Sequence, residues 1–129
     1  MLDNIKRGEY LVGDKVRYFR SKWEANYALY LNYQKTQGLI ADWFYEPQWF
    51  DYTPFGIKHG ATRYLPDFKV ITLNGSIEYH EVKGVMTGRA RQQIKYFKKY
   101  YKQFKHVLIE ADFFKSLKKQ HMDKLLKFY

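Results

Sequence analysis

Two carboxylates and an ammonium, Asp67, Glu81 and Lys83, sit within one short stretch, YLPDFKVITLNGSIEYHEVKG, residues 64–84. Tyr64 to Leu73 is rich in aromatic and β-branched residues, Asn74-Gly75 is a hairpin signal, and Ile77 to Lys83 alternates apolar with polar. Successive strand side chains point to opposite faces. Ile77, Tyr79, Glu81 and Lys83 therefore share one face, and Glu78, His80 and Val82 share the other. Asp67 lies on the partner strand just after Pro66. Acids facing a neighbouring element cost free energy, so a metal ion or a bound substrate gives them a reason to be there.

The elements that must hold these groups can be read outward from the hairpin. Residues 1–20 read as a polar lead-in followed by short extended pieces at Tyr10-Leu11-Val12 and Val16 to Phe19, around a Gly13-Asp14 turn. Ser21 is an N-cap with Glu24 three residues on, which makes a capping box. The helix runs to about Lys35, with Trp23, Tyr27, Ala28, Tyr30 and Leu31 on its apolar stripe, and Gly38 ends it. Glu24 has two readings of equal weight: half of the capping box, or a further acid aimed at the hairpin. Leu39 to Tyr52 is an extended run interrupted by Pro47, and residues 55–62 form a loop in which His59 is read as solvated in preference to contacting a phosphate. His80 is expected to pack beneath the sheet, and Glu46 and Glu78 to be solvated strand charges.

Beyond Gly84 the period changes. Ala90, Ile94, Phe97, Tyr101 and Phe104 form the buried stripe of a helix over residues 89–105. Arg91, Lys95, Lys98, Lys102 and Lys105 repeat the same spacing one residue later as a basic stripe. Like charges on one helix face repel, and phosphates would compensate them. His106 to Glu110 reads as a strand lying parallel to its predecessor after a right-handed crossover. Helical segments at residues 113–117 and 122–129 cover the sheet edge or make a dimer contact. The order helix, three strands, helix, strand predicts one α/β domain with a mixed central sheet, a core at about residues 16–110 and a helical extension over 111–129.

Composition narrows the function. The chain has 129 residues, no cysteine, and 3 Trp, 13 Tyr and 10 Phe, which excludes disulfide and thiolate-metal chemistry and supplies aromatic surface for stacking. No stretch is long and apolar enough to span a bilayer, and MLDNIKRGEY lacks a signal-peptide core, so a cytoplasmic protein is expected. Residues 1–83 hold 11 Lys/Arg against 10 Asp/Glu, whereas residues 84–129 hold 12 against 3. That asymmetry is the footprint of a nucleic-acid binder.

Pro66-Asp67 followed by Glu81-Val82-Lys83 resembles the signature of the PD-(D/E)xK superfamily of restriction-endonuclease-like nucleases. Ser21-Lys22-Trp23-Glu24-Ala25, Gly38-Leu39-Ile40, Pro66-Asp67-Phe68 and Glu81-Val82-Lys83-Gly84 together look like the motifs of short phage-encoded proteins assigned to it. The likeness covers roughly residues 8–110, and it departs at Glu81, where many relatives carry Asp. It implies an αβββαβ core, and it moves Glu24 into the acid set as a metal-site residue. The expected site is then Glu24, Asp67, Glu81 and Lys83, with Asp67, Glu81, Glu24 and the Val82 carbonyl around Mg2+ or Mn2+, which take oxygen ligands. Lys83 would orient the attacking water. Gln92 and Gln93 hold the place of a polar residue that often reaches the superfamily's site.

The expectation is a Mg2+-dependent DNA endonuclease of phage or mobile-element type. Cutting of branched DNA such as four-way junctions is one open substrate class, and DNA recombination one open setting. A homodimer is expected, as in the phage junction resolvases that the chain resembles. The competing reading is a non-catalytic nucleic-acid-binding or packaging accessory on a nuclease scaffold. No small-molecule cofactor is expected.

Overall fold

The Asn74-Gly75 hairpin sits at the centre of the molecule. The computed structural model describes residues 7–129, so the first six residues of the predicted polar lead-in lie outside the described residues. Strands β6 (Phe68–Ile71) and β7 (Ile77–Val82) pair antiparallel with Phe68 opposite His80 and Ile71 opposite Ile77. Thr72 and Ser76 close the loop, and Gly75 takes a left-handed φ of 88° that a side chain would disfavour. Strand β3 (Asp42–Tyr45) joins β6 antiparallel, and β8 (Lys105–Ile109) joins β7 parallel. The result is a four-stranded mixed sheet of order β3-β6-β7-β8.

Each sheet face carries one helix. Helix α1 (Lys22–Thr36) covers the face of Val70, His80 and Val82, where Tyr27, Ala28 and Leu31 enter a core with Phe68 and Ile109. Ser21 caps it by accepting the Glu24 N–H at 3.1 Å. At its other end Gly38 and Leu39 donate to Lys35 and Gln34 carbonyls, with Gly38 at φ 71°. Helix α2 (Gly88–Tyr100) covers the opposite face, where Ile94 and Phe97 meet Tyr79. Each such buried side chain contributes about 1.5–3 kcal/mol. The predicted arm is a separate hairpin of β1 (Gly8–Val12) and β2 (Lys15–Phe19), which packs on α1.

Several elements differ from the sequence reading, each for a tertiary reason. Tyr64 does not belong to the hairpin strand. It forms β5 (Arg63–Tyr64), which pairs with β4 (Phe50–Asp51) in its own ribbon beside α2. The extended run starts only at Asp42 and breaks at Glu46, whose φ of 44° turns the chain out of the sheet. Helix α2 stops at Tyr100 because Tyr101 turns to donate its hydroxyl to the Asp51 carbonyl at 2.8 Å, and Phe104 folds in against Phe50 and Tyr79. Lys102 and Lys105 therefore lie beyond the helix, Lys105 opening β8, and only Arg91, Lys95 and Lys98 hold the helical stripe.

The C-terminal segment, α3 (Ala111–Lys119) and α4 (Met122–Leu125), packs on α1 rather than on the sheet edge. Phe113 meets Tyr27 and Tyr30, and Phe114 meets Trp23. Buried Asn26 clamps the backbone of Tyr129, accepting its N–H at 2.7 Å and donating to its carbonyl at 3.3 Å. Among the described residues no helix is long and apolar enough to cross a membrane. The chain is a mixed α/β fold whose sheet is flanked by helices.

Candidate functional site

The acids converge where β6 begins and β7 ends. Phe68 faces His80, so the register places Asp67 opposite Glu81 on the α2 side of the sheet. The Asp67 backbone N–H donates to Glu81 Oε1 at 3.3 Å, and Asp67 Oδ2 accepts the Val82 N–H at 2.8 Å. Lys83 follows directly after the end of β7, with its Nζ 3.3 Å from Glu81 Oε2. Glu24 reaches the same cleft from the first turn of α1, the helix on the opposite face. Glu24, Asp67, Glu81 and Lys83 thus line one open cleft of about 250 Å³, with Val82 in its wall.

Both readings of Glu24 are partly met. Ser21 Oγ caps the helix and also donates to Glu24 Oε2 at 2.9 Å, while the Tyr45 hydroxyl donates to Oε1 at 2.5 Å. The carboxylate does not reach back to the Ser21 amide. It faces the cleft, where two hydroxyls hold it.

Three carboxylates on one cleft, Glu24 and Glu81 buried and Asp67 partly so, raise one another's proton affinity. Burial first, and then the charges of Glu81 and Glu24, push the Asp67 carboxyl well above the usual range, against one opposing bond from the Val82 N–H. Burial also raises Glu24, offset in part by the Tyr45 and Ser21 hydroxyls. Glu81 is raised by burial despite the neighbouring Lys83 ammonium and the Tyr64 hydroxyl. A cation in the cleft would relieve all three at once.

The donor set suits a hard divalent ion held by one or two carboxylates with water and phosphate completing its shell. Asp67 Oδ1 accepts no hydrogen bond among the described residues, and Asp67 lines the open cleft. No group of three or more Asp, Glu, His or Cys is arranged as a metal cage among the described residues. The fit is therefore to a pair, Asp67 with Glu81, and Glu24 adds negative charge across the cleft.

Several residues here carry no sequence signal. Tyr64, one of 13 tyrosines, donates its hydroxyl to Glu81 Oε1 at 2.7 Å and lies 3.0 Å from His106 Nε2. Its one proton goes to the carboxylate, so the imidazole must donate to it, which places the His106 proton on Nε2. Nδ1 is left as a buried acceptor with no partner among the described residues. Burial and the Lys98 charge lower that imidazole to about 4, keeping it neutral. Glu46 is no free strand charge. Its Oε2 lies 2.7 Å from Arg20 Nε at the cleft rim.

The other expected residues fall into place as follows. Gln93 lines the cleft and donates to the Arg63 carbonyl at 2.9 Å, whereas Gln92 does not line it. Arg91, Lys95, Lys98, Lys102 and Lys105 are all exposed. His80 lies beneath the sheet, 2.6 Å from the Tyr27 hydroxyl and 2.9 Å from Glu78 Oε1, so Glu78 is paired rather than simply solvated. His59 is exposed and does not line the cleft.

A family model described as a protein of unknown function (DUF1064) matches residues 8–121, so the chain belongs to that family. No curated protein and no solved structure matches it.

Proposed function

We propose that this member of the DUF1064 family is a Mg2+-dependent nuclease that hydrolyses phosphodiester bonds in DNA, on a restriction-endonuclease-like core made of α1, β3, β6, β7, α2 and β8. The observation that carries the reading is the meeting of Glu24, Asp67, Glu81 and Lys83 in one cleft, from positions far apart along the chain. A protein that only binds phosphate gains nothing from burying mutually repelling carboxylates beside its basic helix. A hydrolase that must place a cation there does.

Asp67 and Glu81 would hold the metal, which supplies charge neutralisation at the phosphoryl oxygens and an acidified water. The chain's own groups do the rest. The Val82 N–H fixes one oxygen of Asp67, and the Tyr64 hydroxyl fixes one oxygen of Glu81. Lys83, partly exposed and tethered to Glu81, orients the attacking water and offsets charge on the scissile phosphate. The exposed cations Arg91, Lys95 and Lys98 bind flanking phosphates without reading sequence.

The test is a cleavage panel of linear duplex, single strand, flap and four-way junction, with Mg2+, with Mn2+ and with EDTA. Cutting is expected in either metal, none in EDTA. Lys83→Ala should lose about 10²-fold or more in rate while DNA binding survives. Unchanged cutting by both Lys83→Ala and Asp67→Ala would refute the assignment, and binding without cutting at any metal concentration would make the protein a binding accessory.

A further inference from the structure

The chain has three tryptophans, and two of them serve the core. Trp43 is buried in the α1-side cluster, and Trp23 packs on Phe114 with ring centres 5.0 Å apart. Trp49 belongs to neither core cluster, is 50% exposed, and lines the same cleft as Asp67, Glu81 and Lys83. Its position follows from a strained backbone. Glu46 adopts φ 44° immediately before Pro47, so the chain leaves the sheet and carries Trp49 to the cleft mouth. Residues before proline favour extended conformations, and such strain costs on the order of 1–3 kcal/mol, which persists where the surroundings enforce it.

The ring has a cationic neighbour. The Arg63 guanidinium lies 3.9 Å from the centre of the Trp49 ring, close enough for a cation–π contact. Arg63 is itself anchored, because its backbone pairs with Asp51 across β4–β5 and its carbonyl accepts the Gln93 side chain at 2.9 Å. An exposed aromatic plane with a guanidinium against it, opening on a phosphate-sized acidic cleft, matches one kind of ligand chemistry: a planar base on a charged backbone.

Building on the nuclease reading above, we propose that Trp49, with Arg63 against it, is the stacking site for an unpaired nucleobase next to the phosphate that enters the cleft. Bases inside a continuous duplex already stack on one another and offer no free face. The site therefore selects a strand with an unpaired nucleotide at the cut, as in a single strand, a flap or a branch point. Stacking on one aromatic side chain changes affinity by about 5- to 100-fold.

The experiment measures binding by metal-free protein in EDTA, so it does not depend on cleavage. Single-stranded, blunt duplex and flapped oligonucleotides are titrated, read by anisotropy and by tryptophan fluorescence. Trp49→Ala should weaken single-strand and flap binding by about 5- to 100-fold and leave blunt duplex binding within about 2-fold. Trp49→Phe should retain most of the affinity yet lose the fluorescence quench that single strands produce in the wild type. The proposal is overturned if Trp49→Ala weakens all three ligands equally or none of them. Should Trp49→Ala not fold, an unaltered quench in Trp49→Phe overturns it as well. Cleavage that persists alongside such results leaves the nuclease reading intact, whereas the expected stacking without cleavage at any metal concentration removes that reading and keeps the site.

Discussion

Replacing Asp67 by Asn removes the ability to ionise and almost nothing else. The amide is isosteric, and its oxygen can still accept the Val82 N–H that Asp67 Oδ2 accepts at 2.8 Å. What disappears is an acid held near Glu81 and Glu24, whose charges disfavour its ionisation. Because the folded state raises the Asp67 pKa, its favourable contribution is complete below the unfolded carboxylate value of about 3.9 and is lost as pH rises through the folded value. At neutral pH, above the unfolded value, the cleft's resistance to the ionised form opposes folding. The Asp67→Asn substitution should therefore stabilise the metal-free protein at pH 7.5 by about 0.5–2 kcal/mol, the range common when a strained functional group is removed. For a chain of this size that is roughly 2–8 °C in Tm.

Metal should act the other way. For wild type in 10 mM Mg2+ with a Kd on the order of 1 mM, the linkage relation gives about 1.4 kcal/mol, or roughly 4–6 °C. Asp67→Asn should lose most of that increment. The assay is a set of thermal melts of both proteins in EDTA and in Mg2+, at pH 5, 6 and 7.5. His106 and His80 prefer to be neutral when folded, so each destabilises the fold as pH drops below the ordinary histidine range. That contribution is common to both proteins and cancels in their difference. The gap between variant and wild type should shrink toward pH 5. A variant less stable than wild type in EDTA at pH 7.5, with its Mg2+ increment intact, would refute the electrostatic account of the cleft.

Three further outcomes follow from the same geometry. Tyr64→Phe strips the hydroxyl that serves both Glu81 and His106, so it should cost about 1–3 kcal/mol and lower the Tm in calorimetry, with a larger loss in cleavage rate than in DNA affinity. Changing Arg91, Lys95 and Lys98 together to Gln should flatten the slope of log K against log salt by about 1 unit for each phosphate no longer neutralised, as read by anisotropy over a salt series. Asn26→Ala frees the backbone of Tyr129 and should cost about 1–3 kcal/mol, with faster amide exchange at the C-terminal residues.

Local grammar made much of the fold legible in advance. The Ser21 cap, the Gly38 stop and the Gly75 turn each depend on backbone chemistry within a few residues, and each forms as expected. Alternation along β7 sends His80 and Glu81 to opposite faces for the same reason. The periodicity of α2 misled at its end because the continuation through Phe104 was equally compatible with a turn. A hydroxyl bond to Asp51 and a pocket beside Phe50 favoured the turn, and both partners lie about fifty residues upstream.

The acid–acid–lysine set could be named from residue types and strand register, since Asp67 directly precedes β6 and Glu81 and Lys83 lie at the end of β7, two strands joined by one turn. Whether Glu24 joined them depended on how α1 packs on the sheet, which no local pattern encodes. Tyr64, Trp49, Arg63 and His106 were beyond reach for the same reason. Their roles come from β4–β5 folding back beside α2 and from the departure at Glu46, contacts made between segments whose own sequences carry no preference for one another. Short-range sterics and hydrogen bonding write the elements into the chain, whereas the cleft exists only once packing has chosen which of their ends meet.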